Sequence, residues 1–252
     1  MGRRVLARLG FAATGILYVT IGLSAARVAL VGARDRMAGM PGALRLLLGQ
    51  PHGRVLLAAV AAGLGGFALW HLMEARRRGR MLDRAGHVLG AAGYGALLWT
   101  AVSLLLRLGQ PSPRLERTAL AWLLSRHWGV VAVEAAGALT IAAGLMEIGQ
   151  GWSGRLRNRF ATRWLPADAA RFVKGVARFG LAARGLVLVV IGVFQVRVAL
   201  DLDPGELSEI GGALKTLSRA PSGGPLLVGV VAVGLVAYGF YMEVLALAAR
   251  RR

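Results

Sequence analysis

Residues 179–200 read FGLAARGLVLVVIGVFQVRVAL. A helix of this length rises about 30 Å, which is the thickness of the hydrocarbon layer of a bilayer, and its composition is too apolar for an ordinary amphipathic surface helix. Five further windows of the same kind flank it: Leu9 to Gly32, Val55 to Met73, Ala85 to Leu106, Trp128 to Met146, and Pro225 to Ala249. Each is bounded by charge or proline. The chain as a whole agrees, since 56% of its 252 residues are hydrophobic, 17% are charged and the mean hydropathy is +0.58. A water-soluble domain carries about a quarter charged residues, so six spanning helices are expected in its place. The first window follows Arg3 and Arg4 as a signal peptide would, but its apolar run is too long for one and its pattern returns near residue 178.

The basic residues set an orientation. The N-terminus, the second and fourth connections and the C-terminal tail carry 18 Lys and Arg residues, among them Arg76, Arg77, Arg84, Arg171, Lys174 and Arg178, against 10 in the other connections. Short cytoplasmic loops hold the excess, which places both termini in the cytoplasm. The net charge of +19 is then a topology signal plus an attraction to anionic lipid head groups, and nucleic acid is not needed to explain it. With no cysteine, disulfides, thiol nucleophiles and thiolate metal sites are excluded.

The windows repeat. At an offset of 170 residues, Arg8, Gly10, Ala12, Ala13, Gly15, Ile21 and Gly22 fall on Arg178, Gly180, Ala182, Ala183, Gly185, Ile191 and Gly192. The match continues through the connection, where Gly42, Ala43, Leu44, Leu47, Pro51 and Gly53 fall on Gly212, Ala213, Leu214, Leu217, Pro221 and Gly223. A weaker unit lies at an offset of 76, with Arg8, Gly10, Tyr18 and Gly53 on Arg84, Gly86, Tyr94 and Gly129. The expected architecture is therefore all-α: three two-helix hairpins of one orientation, near 5–75, 81–150 and 174–249, forming a single membrane domain of parallel repeats. Each outer connection also holds a short amphipathic stretch: Pro41 to Gly49, Leu115 to Leu124, and one begun by Asp203-Pro204-Gly205-Glu206. These are expected to lie at the outer interface, covering loop backbone or gating a path.

The repeated Arg-x-Gly-Phe-Ala-Ala-x-Gly pattern (Arg8 to Gly15, and Arg178 to Gly185 with Leu181 for Phe), the Gly-Ala-Leu of the connection and the three hairpins resemble the bacterial integral membrane family called domain of unknown function 1206. The resemblance spans nearly the whole chain. It implies six spanning helices in a bacterial inner membrane and no particular activity. In that family an Arg usually precedes the last Gly of the motif; Arg184 keeps it and Thr14 replaces it.

Glycines at Gly15 and Gly22, Gly185 and Gly192, and Gly86, Gly90 and Gly93 read as seams for close helix approach. Two charges, Arg184 and Glu134, fall well inside the predicted spans and must face the bundle or a wet cavity. They are the candidate polar site, with Gln195 among the available partners. One ion pair per hairpin is also expected at the cytoplasmic boundary: Arg8 with Glu74, Arg84 with Glu147, and Arg178 with Glu243, as clamps of hairpin register.

Catalytic and metal signatures are missing. His52 and His127 fall outside, His71 and His87 inside, and none are spaced as two ligands on one helix face. Asp201, Asp203, Glu206 and Glu209 lack a glycine-turned calcium loop. No nucleophile elbow, phosphate loop or dinucleotide fingerprint occurs, so neither an enzyme nor a cofactor protein is expected. Two readings remain: a membrane-embedded binding or accessory component, which meets a membrane-protein partner or a second copy, and a small channel or transporter with a polar path along a pseudo-three-fold axis.

Overall fold

A computed structural model of the chain describes residues 2–31, 39–77, 81–107, 121–153, 165–201, 214, 215, 218 and 224–249. The described residues form helices without strands: α1 (Gly2–Val31), α2 (Met40–Leu48), α3 (Gly53–Ala75), α4 (Met81–Leu105), α5 (His127–Ser153), α6 (Ala167–Asp201) and α7 (Gly224–Ala248). Six of them, all but α2, are long and apolar enough to cross a membrane. They take in the six windows but run well past three of them: α1 starts at Gly2, seven residues early, and α5 ends at Ser153, seven residues late. Helix α6 begins at Ala167, twelve residues before the apolar run, because Arg171, Lys174 and Arg178 end a hydropathy window without ending a helix. Asp168 in its first turn suits the positive end of the helix dipole.

The helices pack in the spatial order α4, α3, α1, α7, α6, α5. Helices α1 and α3 touch, as do α6 and α7, so the first and last hairpins are closed. The middle one is not. Helices α4 and α5 share no packed seam; α4 lies on α3 and α5 lies on α6.

Glycine decides these seams. On α5, Gly137, Gly144 and Gly151 recur every seven residues, two helical turns on one face. A Cβ at Gly144 would stand 2.6 Å from the carbonyl oxygen of Gly185, and one at Gly137 would stand 3.0 Å from that of Gly192. The α1–α7 seam is built alike, with Gly15 against Gly239 and Gly22 against Ala232. Apolar helices have no hydrophobic drive toward one another in lipid, so such backbone contact is what holds them. The glycine seams join different hairpins more closely than α1 packs on α3 or α6 on α7.

Helix α2 buries Ala43, Leu44 and Leu47 against α1, α3 and α4 and ends at Gly49. The turn that follows has a counterpart before α5. The bonds Gly49 N to Arg45 O, Gln50 N to Leu47 O and Gly53 N to Gln50 O recur 76 residues later as Ser125 N to Ala121 O, Arg126 N to Leu123 O and Gly129 N to Arg126 O. Both turns need glycine at the end. A Cβ on Gly53 or Gly129 would lie 2.2 Å from Leu48 O or 1.9 Å from Leu123 O. Residues 203–213, which carry the third amphipathic stretch, and residues 115–120 of the second lie outside the described residues, as do Asp203, Glu206 and Glu209.

Candidate functional site

The inner faces of α1, α5, α6 and α7 meet at Arg184. Its Nε donates to the Tyr18 hydroxyl at 2.7 Å, and its NH1 group forms an ion pair with the Glu147 carboxylate. The guanidinium also lies over two rings, 5.5 Å from the centre of Tyr18 and 5.0 Å from that of Tyr238. Those rings meet edge to face at 4.8 Å. From α4, Tyr94 comes within electrostatic reach of Tyr18, Arg184 and Glu147.

Isolated in hydrocarbon, a guanidinium is costly; here a carboxylate, a hydroxyl and two π faces compensate it. The compensation is incomplete at Glu147, whose Oε2 is buried without a hydrogen-bond partner. Thr14, which stands where the repeat would place another Arg184, is one turn from Tyr18, and its buried hydroxyl lies beside Tyr94. Ser103 Oγ and Gln195 Oε1 are buried and unpartnered toward the other end of the bundle. The Arg184 and Glu147 side chains keep 20% and 19% of their exposure, so the cluster borders open space.

That space adjoins the cleft between α4 and α5. By helical geometry, the flank of α5 that carries Glu147 also carries Ala136, Thr140, Ala143 and Gln150. The corresponding flank of α4 carries Gly86, Gly93, Ala96, Thr100 and Ser103. Bulky residues sit elsewhere on the same helices: Trp99 and Val88 on α4, and Leu139, Leu145 and Met146 on α5, all exposed. The flanks bordering the cleft are thus small and weakly polar, and the outward faces are apolar and large.

Of the expected site residues, the structure brings Arg184 inside and gives it Glu147. Glu134 does not join them. Thirteen residues separate it from Glu147, which is about 140° around α5 and about 20 Å along it, and Glu134 is half-buried on the other flank. The expected clamps change accordingly. Among the described residues no ion pair joins Arg84 to Glu147, because α4 and α5 are apart and Arg184 reaches the carboxylate from the neighbouring helix. Arg178 instead caps α5, donating from Nε to Gly151 O at 2.8 Å and from NH2 to Trp152 O at 2.9 Å. Glu243 lies over Gly15 on the α1–α7 seam, where its Oε1 is 2.5 Å from the place a Cβ would take. Arg8 is exposed on α1, and Glu74 is half-buried in the last turn of α3.

One cluster escaped the sequence reading. His71 on α3 and His87 on α4 place their Nδ1 atoms 3.1 Å apart, so one ring donates to the other. Tyr94 stacks on His71 at 5.4 Å, and Trp70 stands edge-on to both imidazoles. A search for spacing within one helix cannot find a pair across two. Equal distance from the turn could have, since each histidine is eight residues from position 79. Among the described residues no group of three His, Cys, Asp or Glu is placed to hold a metal ion.

The family described as Domain of Unknown Function (DUF1206) matches residues 9–78 and 179–249. The chain belongs to this family. The DUF1206 match takes in the first and last hairpins, the two that are closed, and passes over the middle one. An uncharacterized protein of Bacillus subtilis (strain 168), YxxB, is 28% identical over 243 residues, which cover 93% of this chain and 86% of that protein. No solved structure matches this DUF1206 chain.

Proposed function

We propose that this chain is a membrane-embedded binding component rather than an enzyme, placed in the bacterial inner membrane with both termini in the cytoplasm. Its three hairpins are related about an axis along the membrane normal, and its amphipathic connections, α2 among them, cover the outer ends. The repeated turn bonds and the equivalent glycine seams support that arrangement. The lipid around it meets the basic residues through anionic head groups, and a protein partner or second copy meets the apolar outer faces.

The observation that carries the binding reading is the Arg184–Glu147 pair beside an open cleft, with Glu147 Oε2 left to accept a further hydrogen bond. A buried carboxylate oxygen has acceptor capacity that a ligand hydroxyl or ammonium group satisfies. Because the chain has no cysteine, single cysteines test it cleanly. In native membranes, Cys at Thr140 or Ala143 reacts with a charged methanethiosulfonate, while Cys at Leu139 does not. Unreactive Thr140 and Ala143 positions sink the reading.

The transporter alternative has its own support. Unpartnered buried polar atoms occur at both levels of the bundle, Glu147 toward one end and Ser103 and Gln195 toward the other, as a polar path requires. Proton flux into vesicles containing the protein, abolished in Glu147→Gln, establishes that reading; flux equal to protein-free vesicles ends it.

A further inference from the structure

The last turns of α5 and the early turns of α6 enclose a second feature, away from the Arg184 cluster. A groove of about 330 Å³ is floored by Gly151, Phe179 and Ala182, walled by Ile148 and Trp152, and bordered by Gly175 and Arg178. Its lining is apolar except at Arg178. On α6, Arg171, Lys174 and Arg178 recur at i, i+3 and i+7, so they share a face, and Gly175 and Ala182 lie on that same face. The groove therefore runs from an apolar stretch into an exposed basic stripe. Arg171 is paired with Asp168 and Lys174 is exposed. Arg178 uses two of its five N–H donors on the α5 carbonyls, which fixes the guanidinium and leaves the others free. Trp152, 86% exposed, stands beside it as an aromatic at a membrane boundary does.

We propose that this groove holds one anionic phospholipid, with an acyl chain against Phe179 and Ala182 and the phosphate at Lys174 and Arg178. The proposal rests on the bilayer reading of the six helices. A free phosphate leaves the apolar floor empty, and a zwitterionic lipid leaves the basic stripe uncompensated, so the joined apolar and cationic parts specify an anionic amphiphile. Gly175 borders the groove, and a Cβ there would project into open space.

Native mass spectrometry of the delipidated full chain, titrated with phosphatidylglycerol or phosphatidylcholine, tests this. The wild type retains one tightly held phosphatidylglycerol. Gly175→Leu, which adds bulk at the border of the groove where a Cβ meets nothing within 4 Å, loses it while melting no lower than the wild type. Lys174→Gln weakens it about five-fold and narrows the preference over phosphatidylcholine. Undiminished binding in Gly175→Leu, equal binding of the two lipids by the wild type, or displacement of phosphatidylglycerol by inorganic phosphate each overturns the proposal. Resistance of the wild type to alkaline extraction from membranes checks the bilayer reading separately, so an inserted chain that binds no lipid refutes the lipid site alone.

Discussion

Gly144 and Gly185 face each other with no side chain between them: the carbonyl oxygen of each lies 2.6 Å from the point where a Cβ on the other would sit. Neither residue can be enlarged without moving a backbone. Gly144→Val or Gly185→Leu overpacks the seam and costs about 1–3 kcal/mol or more, read as a lower melting temperature in detergent. Gly149→Ala, at a helix position where a Cβ meets nothing, is the control and melts at or above the wild type.

Arg184 and Glu147 depend on each other. Replacing either by Gln leaves its partner's charge uncompensated, which for buried pairs costs about 3–5 kcal/mol; partial exposure puts these two near the lower end. The double variant loses clearly less than the sum of the singles. Arg84→Gln combined with Glu147→Gln is additive, since those side chains are not paired. Thermal melts of the three single and two double variants measure both cycles.

Tyr18 contributes through its hydroxyl and through its ring, and the two separate by substitution. Tyr18→Phe removes a hydrogen bond to a charged group, a loss of about 1.5–3 kcal/mol, and keeps the ring under the guanidinium. Tyr18→Leu removes the cation–π contact as well and loses more. A Phe variant as stable as the wild type refutes the hydrogen bond.

The two imidazoles tie α3 to α4. His71→Leu and His87→Leu each weaken the contact by about 1 kcal/mol, and their combined effect falls short of the sum by at least about 0.5 kcal/mol. Strict additivity in the same melts shows that the rings do not share a hydrogen bond.

Orientation is tested by cysteines at Arg78 and Ser208. In intact cells a membrane-impermeant thiol reagent labels the second and leaves the first. The opposite pattern reverses the topology.

The six spans were legible because a hydrocarbon layer demands about 20 apolar residues in a row, and no tertiary contact alters that demand. Gly15, Gly22, Gly185 and Gly192 were legible for a similar reason, since close approach in lipid needs small residues at fixed spacing; Gly86 and Gly93 have similar spacing but form no seam, because a Cβ at either meets nothing within 4 Å. The partner of Arg184 was not. Glu147 itself closed the hydropathy window at Met146, so it was placed at the boundary; yet α5 continues to Ser153, and Glu147 is six residues from that end as Arg184 is six residues from Arg178. Counted from the point where Arg178 caps α5, they are level. Tyr18 and Tyr238 come from helices distant in sequence, and the α1–α7 seam that brings them over Arg184 is a long-range contact that residue spacing does not encode.

Helices α4 and α5 are consecutive spans in the chain and the two ends of an arc in space. The arc is closed on one side by the α1–α7 seam, where Gly15 and Gly239 let the backbones touch, and open on the other. That geometry is a lever. Each free end stands two helices, or about 16–20 Å, from the seam, so a turn of about 5° by either three-helix wing would move its end by about 1.5 Å. The fulcrum is thus distant from the mouth it controls. A substitution that widens the seam at Gly15 or Gly239, at the middle of the arc, would therefore also shift the two ends between which Arg184 and Glu147 are exposed.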